Sequence, residues 1–290
     1  MLGMFQVPQL SYASSSAMLD DKTKYSFFSR TVPSDTLQAE AIVDILQRFN
    51  WTYVSLLYAE GSYGSEGYKA IKKRMESIGY CLAVVLELGD DFTPEQFDNV
   101  VEKLMEKKQA KVVVLFTTQY QAKGLFNAFK ARNEACNFTW VGGDSISMNA
   151  HFFNEWKYIA AGTLSVNFVS QPVDRFEEHF KQMTLRSGSR NPWFRDFFAS
   201  FFHCDPTQQP GTGGDACDLD LAIQNATDYK PESTASLSIN AVYAMAHALH
   251  DLTKSCPQRL TDPRQCVPPT KLRDAIRQVT HRTHIMCCCT

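Results

Sequence analysis

The sequence predicts an α/β fold organised around a doubly wound parallel sheet. Short runs of β-branched and other apolar residues alternate with longer segments in which apolar residues recur at helical spacing. The short runs are continuously apolar, which is typical of parallel strands that helices cover on both faces. Turns that contain glycine follow two of these runs, so a repeating order of strand, turn and helix is expected.

Composition agrees with a folded chain and excludes several classes of protein. Of the 290 residues, 44% are hydrophobic and 21% are charged, as in a globular protein long enough for two domains. The formal net charge is −2 and the basic residues are dispersed, which argues against nucleic acid as a partner. The sequence shows neither an apolar run long enough to span a membrane nor a signal peptide. We therefore expect a protein that is cytosolic or that begins upstream of Met1.

The first half of the chain contains most of the predicted strands. A strand is expected within 6–12, and a helix is expected to begin at 33–35, where Asp35 and Gln38 offer a capping box. Further strands are predicted at 52–58, 81–88, 111–116, 138–141 and 163–170, with helices from the turn at Tyr63 to Ile78, over 94–107 and through Phe129. Residues 32–170 should therefore form one compact domain.

The second half is predicted to be helical, with loops that contain cysteine. Helices are expected at 173–185 and 192–202, followed by a Gly-, Pro- and Asp-rich loop at 205–220 and a helix from Ser236. Six apolar residues are predicted to bury one face of that last helix: Ile239, Val242, Tyr243, Ala246, Leu249 and Leu252. This half has too few strands for a sheet of its own. Residues 1–31 and 171–283 are therefore expected to share a second lobe whose other strands lie upstream, and 284–290 to form an irregular tail.

Two turns at the ends of predicted strands suggest a binding site. The segments 60–67 and 142–145 each follow a β-type run, so Tyr63 and Asp144 should lie at the carboxyl edge of the same sheet, where open α/β sheets bind ligands. A phenol and a carboxylate together suit a small cationic or zwitterionic group. A plainer interpretation stays open, in which both are ordinary turn residues and Asp35 is only a helix cap.

Cysteines and glycosylation sequons favour an extracellular setting. Two pairs, Cys204 with Cys217 and Cys256 with Cys266, enclose short polar loops that cannot form a core, so disulfides are expected, with free thiols as the alternative. Three sequons would permit glycosylation of a secreted chain, at Asn50, Asn137 and Asn225. No cofactor or metal site is expected, since His247 and His250 lie on an apolar helix without cysteines at zinc-finger spacing.

Six segments, in order, resemble the extracellular amino-acid-binding domain of metabotropic glutamate receptors, which are class C G-protein-coupled receptors. They are the segments 7–15, 32–39, 50–55, 60–64, 191–197 and 239–249. The resemblance implies a two-lobed clamshell like that of periplasmic binding proteins, with an incomplete first lobe and a largely complete second lobe at 32–170. It further implies an amino-acid ligand, glutamate, a homodimer formed through the first lobe, and signalling to a G protein through a seven-helix region absent from this chain. The expected location is the extracellular side of the cell membrane.

The resemblance also assigns ligand-binding positions. Ser15 falls where the family has a hydroxyl residue that binds the ligand's α-amino and α-carboxylate groups, with Ser14 beside it, and Asp35, Tyr63 and Asp144 match the family's contacts on the second lobe. An ammonium group favours carboxylate acceptors and an aromatic face, while serine hydroxyls suit a carboxylate.

Departures from the family pattern leave the exact ligand open. Asn149 stands where the family often has a basic residue, and the stretch 266–271 is shorter than usual, so another α-amino acid remains an alternative to glutamate. Cys81 matches a cysteine that bridges to a cysteine-rich linker in the family, and that linker is not in this sequence.

Two other classes of function are weighed against a receptor ectodomain. An enzyme would require a nucleophile elbow, a phosphate-binding loop or a dinucleotide fingerprint at the strand ends, and none is found. A truncated product that acts only as a dimerisation partner, or that has no function, would retain the first-lobe surface without a complete ligand pocket. That alternative stays open.

Overall fold

The computed structural model describes residues 2–132, 138–147, 152–168, 171–208, 215–226, 229, 234–254, 256 and 265–279. Asn137, Asn149 and the tail at 284–290 lie outside these residues. The chain forms two compact units, one made of 1–169 with 237–290 and the other of 170–236. Within the described ranges, no helix has the length and apolarity needed to cross a membrane.

Strands and helices alternate through the first unit. The strands are β1 (Gln9–Ser11), β2 (Phe28–Arg30), β3 (Tyr53–Ala59), β4 (Cys81–Leu88), β5 (Val112–Phe116), β6 (Thr139–Gly142) and β7 (Leu164–Ser165). The α-helices among the described residues are α1 (Asp35–Arg48), α2 (Ser62–Ser77), α3 (Pro94–Glu106), α4 (Gln119–Arg132), α5 (Asp144–Ser147), α6 (Asp174–Lys181), α7 (Phe194–Phe202), α8 (Ala235–Lys254) and α9 (Pro269–Gln278).

The main sheet is parallel throughout, with strand order β4-β3-β5-β6-β7. The strand that follows β3 lies on one side of the β3-β5 pair, and the strand that follows β5 lies on the other. The connections after these two neighbouring strands therefore run in opposite directions, and a crevice is expected at their carboxyl ends. Side chains from α1 and α2 form a core on one face, and side chains from α3 and α4 form a core on the other. This arrangement confirms the predicted α/β class and explains the continuously apolar strands, because Leu56 and Leu57 are both fully buried on opposite faces.

The two ends of the chain meet in the first unit. Strands β1 and β2 form a separate parallel pair. The hydroxyl of Thr31 donates a hydrogen bond to the carbonyl of Leu237 (3.0 Å), and the guanidinium of Arg277 donates to the carbonyl of Ser26 (2.7 Å). These contacts attach α8 and α9 to the segment around β2. The lobe boundaries given above stay a prediction.

The predicted start of α1 at 33–35 is confirmed, but its predicted cap and the predicted turn before α2 are wrong. The cap of α1 is Ser34, whose side chain accepts a hydrogen bond from the backbone N–H of Thr36, and not an Asp35–Gln38 capping box. Asp35 is instead buried, and Gln38 bonds across the sheet edge to Asp144. Helix α2 begins at Ser62, so most of the predicted turn at 60–67 is helical.

The predicted buried face of α8 is also wrong. Val242 and Tyr243 are 70% and 55% exposed, whereas Leu237, Ala244 and Ala248 are buried. The prediction gave weight to the larger apolar side chains, but two of the three buried apolar residues of the helix are alanines. Within the described residues 163–168, the strand predicted at 163–170 is limited to β7, and the helices expected at 173–185 and 192–202 are the shorter α6 and α7.

The structure contains both expected disulfides. Cys204 joins Cys217 next to an aromatic core of the second unit that includes Phe194 and Phe198, and Cys256 joins Cys266. Cys81 is an exposed free thiol at the start of β4.

A Gly64→Ala substitution is expected to destabilise the first unit by about 3 kcal/mol or more, because added atoms in a packed site force the structure to shift. Gly64 lies in the first turn of α2, where a Cβ atom would overlap the backbone carbonyl of Ala59 at the end of β3. Urea unfolding measures the effect, with Ser62→Ala, an exposed position at the start of the same helix, as the control. Equal stability of the two variants would show that this packing is looser than described.

Candidate functional site

Asp144 is the hub of a polar cluster at the carboxyl edge of the main sheet. It follows β6, is 4% exposed, and begins α5. Its Oδ1 accepts hydrogen bonds from the Gln38 side-chain amide (2.8 Å), the Tyr63 hydroxyl (3.0 Å) and the backbone N–H of Ser145 (2.8 Å). All three donors are neutral, so they hold the carboxylate in place without cancelling its charge.

Tyr63 reaches the cluster from the first turn of α2, directly after β3. Its ring stacks on Phe116 at the end of β5, with ring centroids 4.7 Å apart. Burial, and next the charge of Asp144, raise the pKa of Tyr63 well above its ordinary value, so the phenol stays protonated and acts as a donor. Ser145 completes this side of the cluster, because its hydroxyl bonds to the carbonyl of Thr117, which follows β5.

Asp35 supplies a second carboxylate from the first turn of α1. The residue is 1% exposed, and neither of its carboxylate oxygens has a hydrogen-bond partner of good geometry. The pKa of Asp35 is raised to about 7, and burial is the largest cause. Among the smaller effects, the Ser15 hydroxyl and the Arg30 charge lower this pKa, and the Asp144 charge raises it. A buried carboxylate without a partner is costly, and it marks a position where a cation would be stabilised.

The loop 14–16 lies beside Asp35 and is held by a buried arginine. The carbonyl of Ser15 accepts a hydrogen bond from the backbone N–H of Asp35 (2.9 Å). Arg30 on β2 donates to the carbonyls of Ser14 (3.3 Å), Ser15 (2.8 Å) and Ser16 (3.0 Å), and it forms an ion pair with Asp20. The Ser16 hydroxyl is buried without a hydrogen-bond partner. This loop therefore presents fixed backbone and at least one unsatisfied hydroxyl.

Four of the five predicted ligand positions converge. Asp35 interacts electrostatically with both Ser15 and Asp144, and Tyr63 interacts with both acids. The fifth, Ser14, is the exposed neighbour of Ser15, and its hydroxyl accepts from that of Ser11 (2.8 Å). The predicted glycosylation positions Asn50 and Asn225 are exposed, and their modification stays a prediction.

Sequence reasoning missed two members of the cluster, Arg30 and Gln38. Arg30 interrupts an apolar and hydroxyl-rich stretch, which could have marked it as a buried charge with a structural role. Gln38 lies three residues after Asp35 and therefore on the same side of α1. A spacing of three residues is typical of a capping box, but it equally fits two side chains directed at one site.

A small cavity of about 170 Å³ adjoins the cluster. Pro33, Leu37, Val166 and Phe168 give it a largely apolar lining, and Gln38 and Asp144 form its polar edge. Within the described part of the chain, no group of three His, Cys, Asp or Glu side chains is placed to hold a metal ion. The chemistry that the cluster itself offers is the binding of a cationic group by two carboxylates and a phenol ring.

The sequence of this chain is similar to those of known receptors. Residues 1–283 match the receptor family ligand binding region. The chain is 34% identical over 269 residues to a metabotropic glutamate receptor of Drosophila melanogaster, over 87% of this chain and 28% of that protein. It is also 34% identical to metabotropic glutamate receptor 4 of Mus musculus over 264 residues, covering 89% of this chain and 29% of the receptor. Metabotropic glutamate receptor 6 of Oryctolagus cuniculus is again 34% identical, over 88% of this chain and 30% of the receptor.

These matches confirm the resemblance seen in the sequence and set its extent. The chain spans less than a third of the length of these relatives. The matched family is a receptor ligand-binding region and not an enzyme family. The chain therefore belongs to the family of receptor ligand-binding regions, and it is similar to the corresponding part of metabotropic glutamate receptors.

Proposed function

We propose that this chain binds the α-amino acid L-glutamate through the cluster of Ser15, Asp35, Tyr63 and Asp144. The observation that carries the proposal is the buried, unpartnered carboxylate of Asp35 beside a second buried carboxylate, Asp144. The charge of Asp144 disfavours the ionised form of Asp35, and the ammonium group of an amino acid supplies a cation that would stabilise both carboxylates. The ring of Tyr63 adds a cation–π contribution of about 0.5 to 2 kcal/mol.

The same ligand needs donors for its α-carboxylate. The loop 14–16 offers the hydroxyl of Ser15 next to Asp35 and the unsatisfied hydroxyl of Ser16, and Arg30 holds the loop through its carbonyls. Hydroxyl and backbone donors bind carboxylates well, particularly where the loop is already ordered. The identity of the amino acid as glutamate is supported by the similarity to metabotropic glutamate receptors and not by a distal-carboxylate site among the described residues.

The wider assignment belongs to the same proposal. We infer a two-lobed clamshell in which residues 1–31 and 171–283 contribute to the first lobe and 32–170 form the second, with the ligand held between them. The chain would lie on the extracellular side of a cell membrane, where its disulfides are stable, and would dimerise through the first lobe. Coupling to a G protein would require the seven-helix region of a complete receptor.

A second candidate is a fragment that pairs with complete receptors and binds no amino acid. The observation that favours it is the exposed face of α8, where Val242, Tyr243 and Leu249 are 70%, 55% and 37% exposed. Exposed apolar side chains grouped on one helix face often mark an interaction surface. We propose no catalytic activity for the chain.

Titration calorimetry with L-glutamate tests the primary proposal. The Asp35→Ala and Tyr63→Ala variants are each expected to abolish measurable binding, because each removes a principal contact of the ammonium group. Glu40→Gln removes a carboxylate from an exposed position on the same helix as Asp35, so it should bind like the wild type. Thermal unfolding of each variant shows whether the fold is kept.

The results separate the two candidates. Unchanged affinity in both variants, with the fold intact, would exclude this cluster as the ligand site. A wild-type chain that binds no amino acid but forms dimers in analytical ultracentrifugation would favour the second candidate.

A further inference from the structure

We propose that Gln38 is the positioning residue of the amino-acid site, and that it fixes the Asp144 carboxylate in the orientation that receives the ligand. The inference rests on the proposed function, since positioning matters only if Asp144 binds a ligand. Gln38 is 7% exposed and lies one turn after Asp35 on α1. It is bound to a residue 106 positions away in the chain.

The contact between Gln38 and Asp144 has two points. The side-chain Nε2 of Gln38 donates to Oδ1 of Asp144 (2.8 Å), and its Oε1 accepts from the backbone N–H of Asp144 (3.2 Å). Only one orientation of the amide satisfies both bonds, because the carboxylate cannot donate and the N–H cannot accept. A two-point contact fixes both the backbone and the side chain of Asp144, which a single bond would not.

Gly143 gives independent support for this close approach. A Cβ atom at position 143 would overlap Oε1 of Gln38 and would lie 3.3 Å from the Tyr63 hydroxyl. The amide therefore occupies space that any side chain at 143 would need. The absence of a side chain at Gly143, directly after β6, is therefore required for Gln38 to reach Asp144.

A neutral amide is the chemistry that this position requires. A lysine or arginine would pair with Asp144 and compete with the ligand's ammonium group, whereas a glutamate would repel the carboxylate. Gln38 donates to the carboxylate and adds no charge of its own. Asp35 and Gln38 both lie near the start of α1. This helix therefore contributes Asp35 to the site and also binds Asp144 through Gln38.

Two substitutions at this position separate positioning from simple packing. Gln38→Leu keeps similar volume but loses both bonds, and should weaken L-glutamate binding about 10- to 100-fold, the range for a bond to a charged group. Gln38→Glu should bind as weakly at pH 8. At pH 6 a carboxyl group placed against Asp144 takes up a proton, since the neighbouring charge raises its pKa, and it then reproduces both bonds. Each affinity is expressed relative to the wild type at the same pH.

The expected result is recovery of Gln38→Glu by about fivefold or more between pH 8 and pH 6, with no recovery of Gln38→Leu. Gln47→Leu, at an exposed position of the same helix, is the matched control and should equal the wild type. A packing role alone predicts that both variants at position 38 lose affinity by a factor that does not depend on pH. That pattern, or wild-type affinity in Gln38→Leu, overturns the proposal.

A ligand-free measurement keeps this inference distinct from the proposed function. Hydrogen exchange of the Asp144 amide should be at least about tenfold faster in Gln38→Leu, which loses the acceptor, than in Gln38→Glu, which keeps an oxygen there. If the wild-type chain binds no amino acid, the proposed function fails. The exchange rates then test by themselves whether Gln38 holds the backbone of Asp144. Equal exchange in the two variants would overturn the role of Gln38 in holding Asp144.

Discussion

The Asp144→Asn variant is expected to bind L-glutamate about 30- to 5,000-fold more weakly than the wild type, because truncating one partner of a buried charge pair costs about 2 to 5 kcal/mol. The substitution keeps the size of the side chain and removes its charge. The amide oxygen of asparagine can still accept the bonds from Gln38, Tyr63 and the N–H of Ser145, which all converge on Oδ1, so the variant tests the charge itself. Titration calorimetry at pH 8 measures the loss.

Asp44→Asn is the control for this substitution. Asp44 lies on α1 with its side chain 67% exposed, so its removal should leave affinity within about twofold of the wild type. Urea unfolding of both variants distinguishes lost binding from lost structure. If Asp144→Asn retains wild-type affinity while folded, the ammonium group of the ligand is not held by this carboxylate.

The parts of the fold that the sequence predicted well depend on local signals. Strand β4 has the predicted bounds, Cys81–Leu88, because a run of β-branched and apolar residues is bounded by polar turns. The meeting of Tyr63 and Asp144 followed from a topological argument, since both follow parallel strands and therefore lie at one edge. These inferences needed only the identity and the direction of the strands.

The parts that the sequence did not predict depend on which elements become neighbours. Gln38 bonds to Asp144 because α1 packs near the end of β6, and that adjacency is set by the strand order β4-β3-β5-β6-β7. Local spacing could not distinguish this bond from a helix cap. The buried face of α8 was missed for a related reason, because periodicity shows that a helix has an apolar side but not which side meets a partner.

Ligand affinity is expected to fall by about tenfold from pH 8 to pH 6, as Asp35 takes up a proton, since one pKa unit corresponds to a tenfold change. Burial raises the pKa of Asp35 from 3.8 to about 7, and an ammonium group favours its ionised form. Binding near pH 6 should therefore release close to one proton per ligand, which calorimetry detects by comparing buffers of different ionisation enthalpy. Proton release of zero would show that the ligand does not contact Asp35.

The same pKa shift of Asp35 should affect the stability of the ligand-free chain. Between about pH 4 and pH 7 the folded state keeps a proton that the unfolded state has lost, so the contribution of Asp35 to stability declines as pH rises through this window. Asp35→Asn removes that decline, and the gap between variant and wild type should widen from pH 4 to pH 7 and then stay constant. Urea unfolding at several pH values measures the gap. A gap that does not change with pH would mean that Asp35 is solvated and paired, and the argument for a cation at this position would lose its basis.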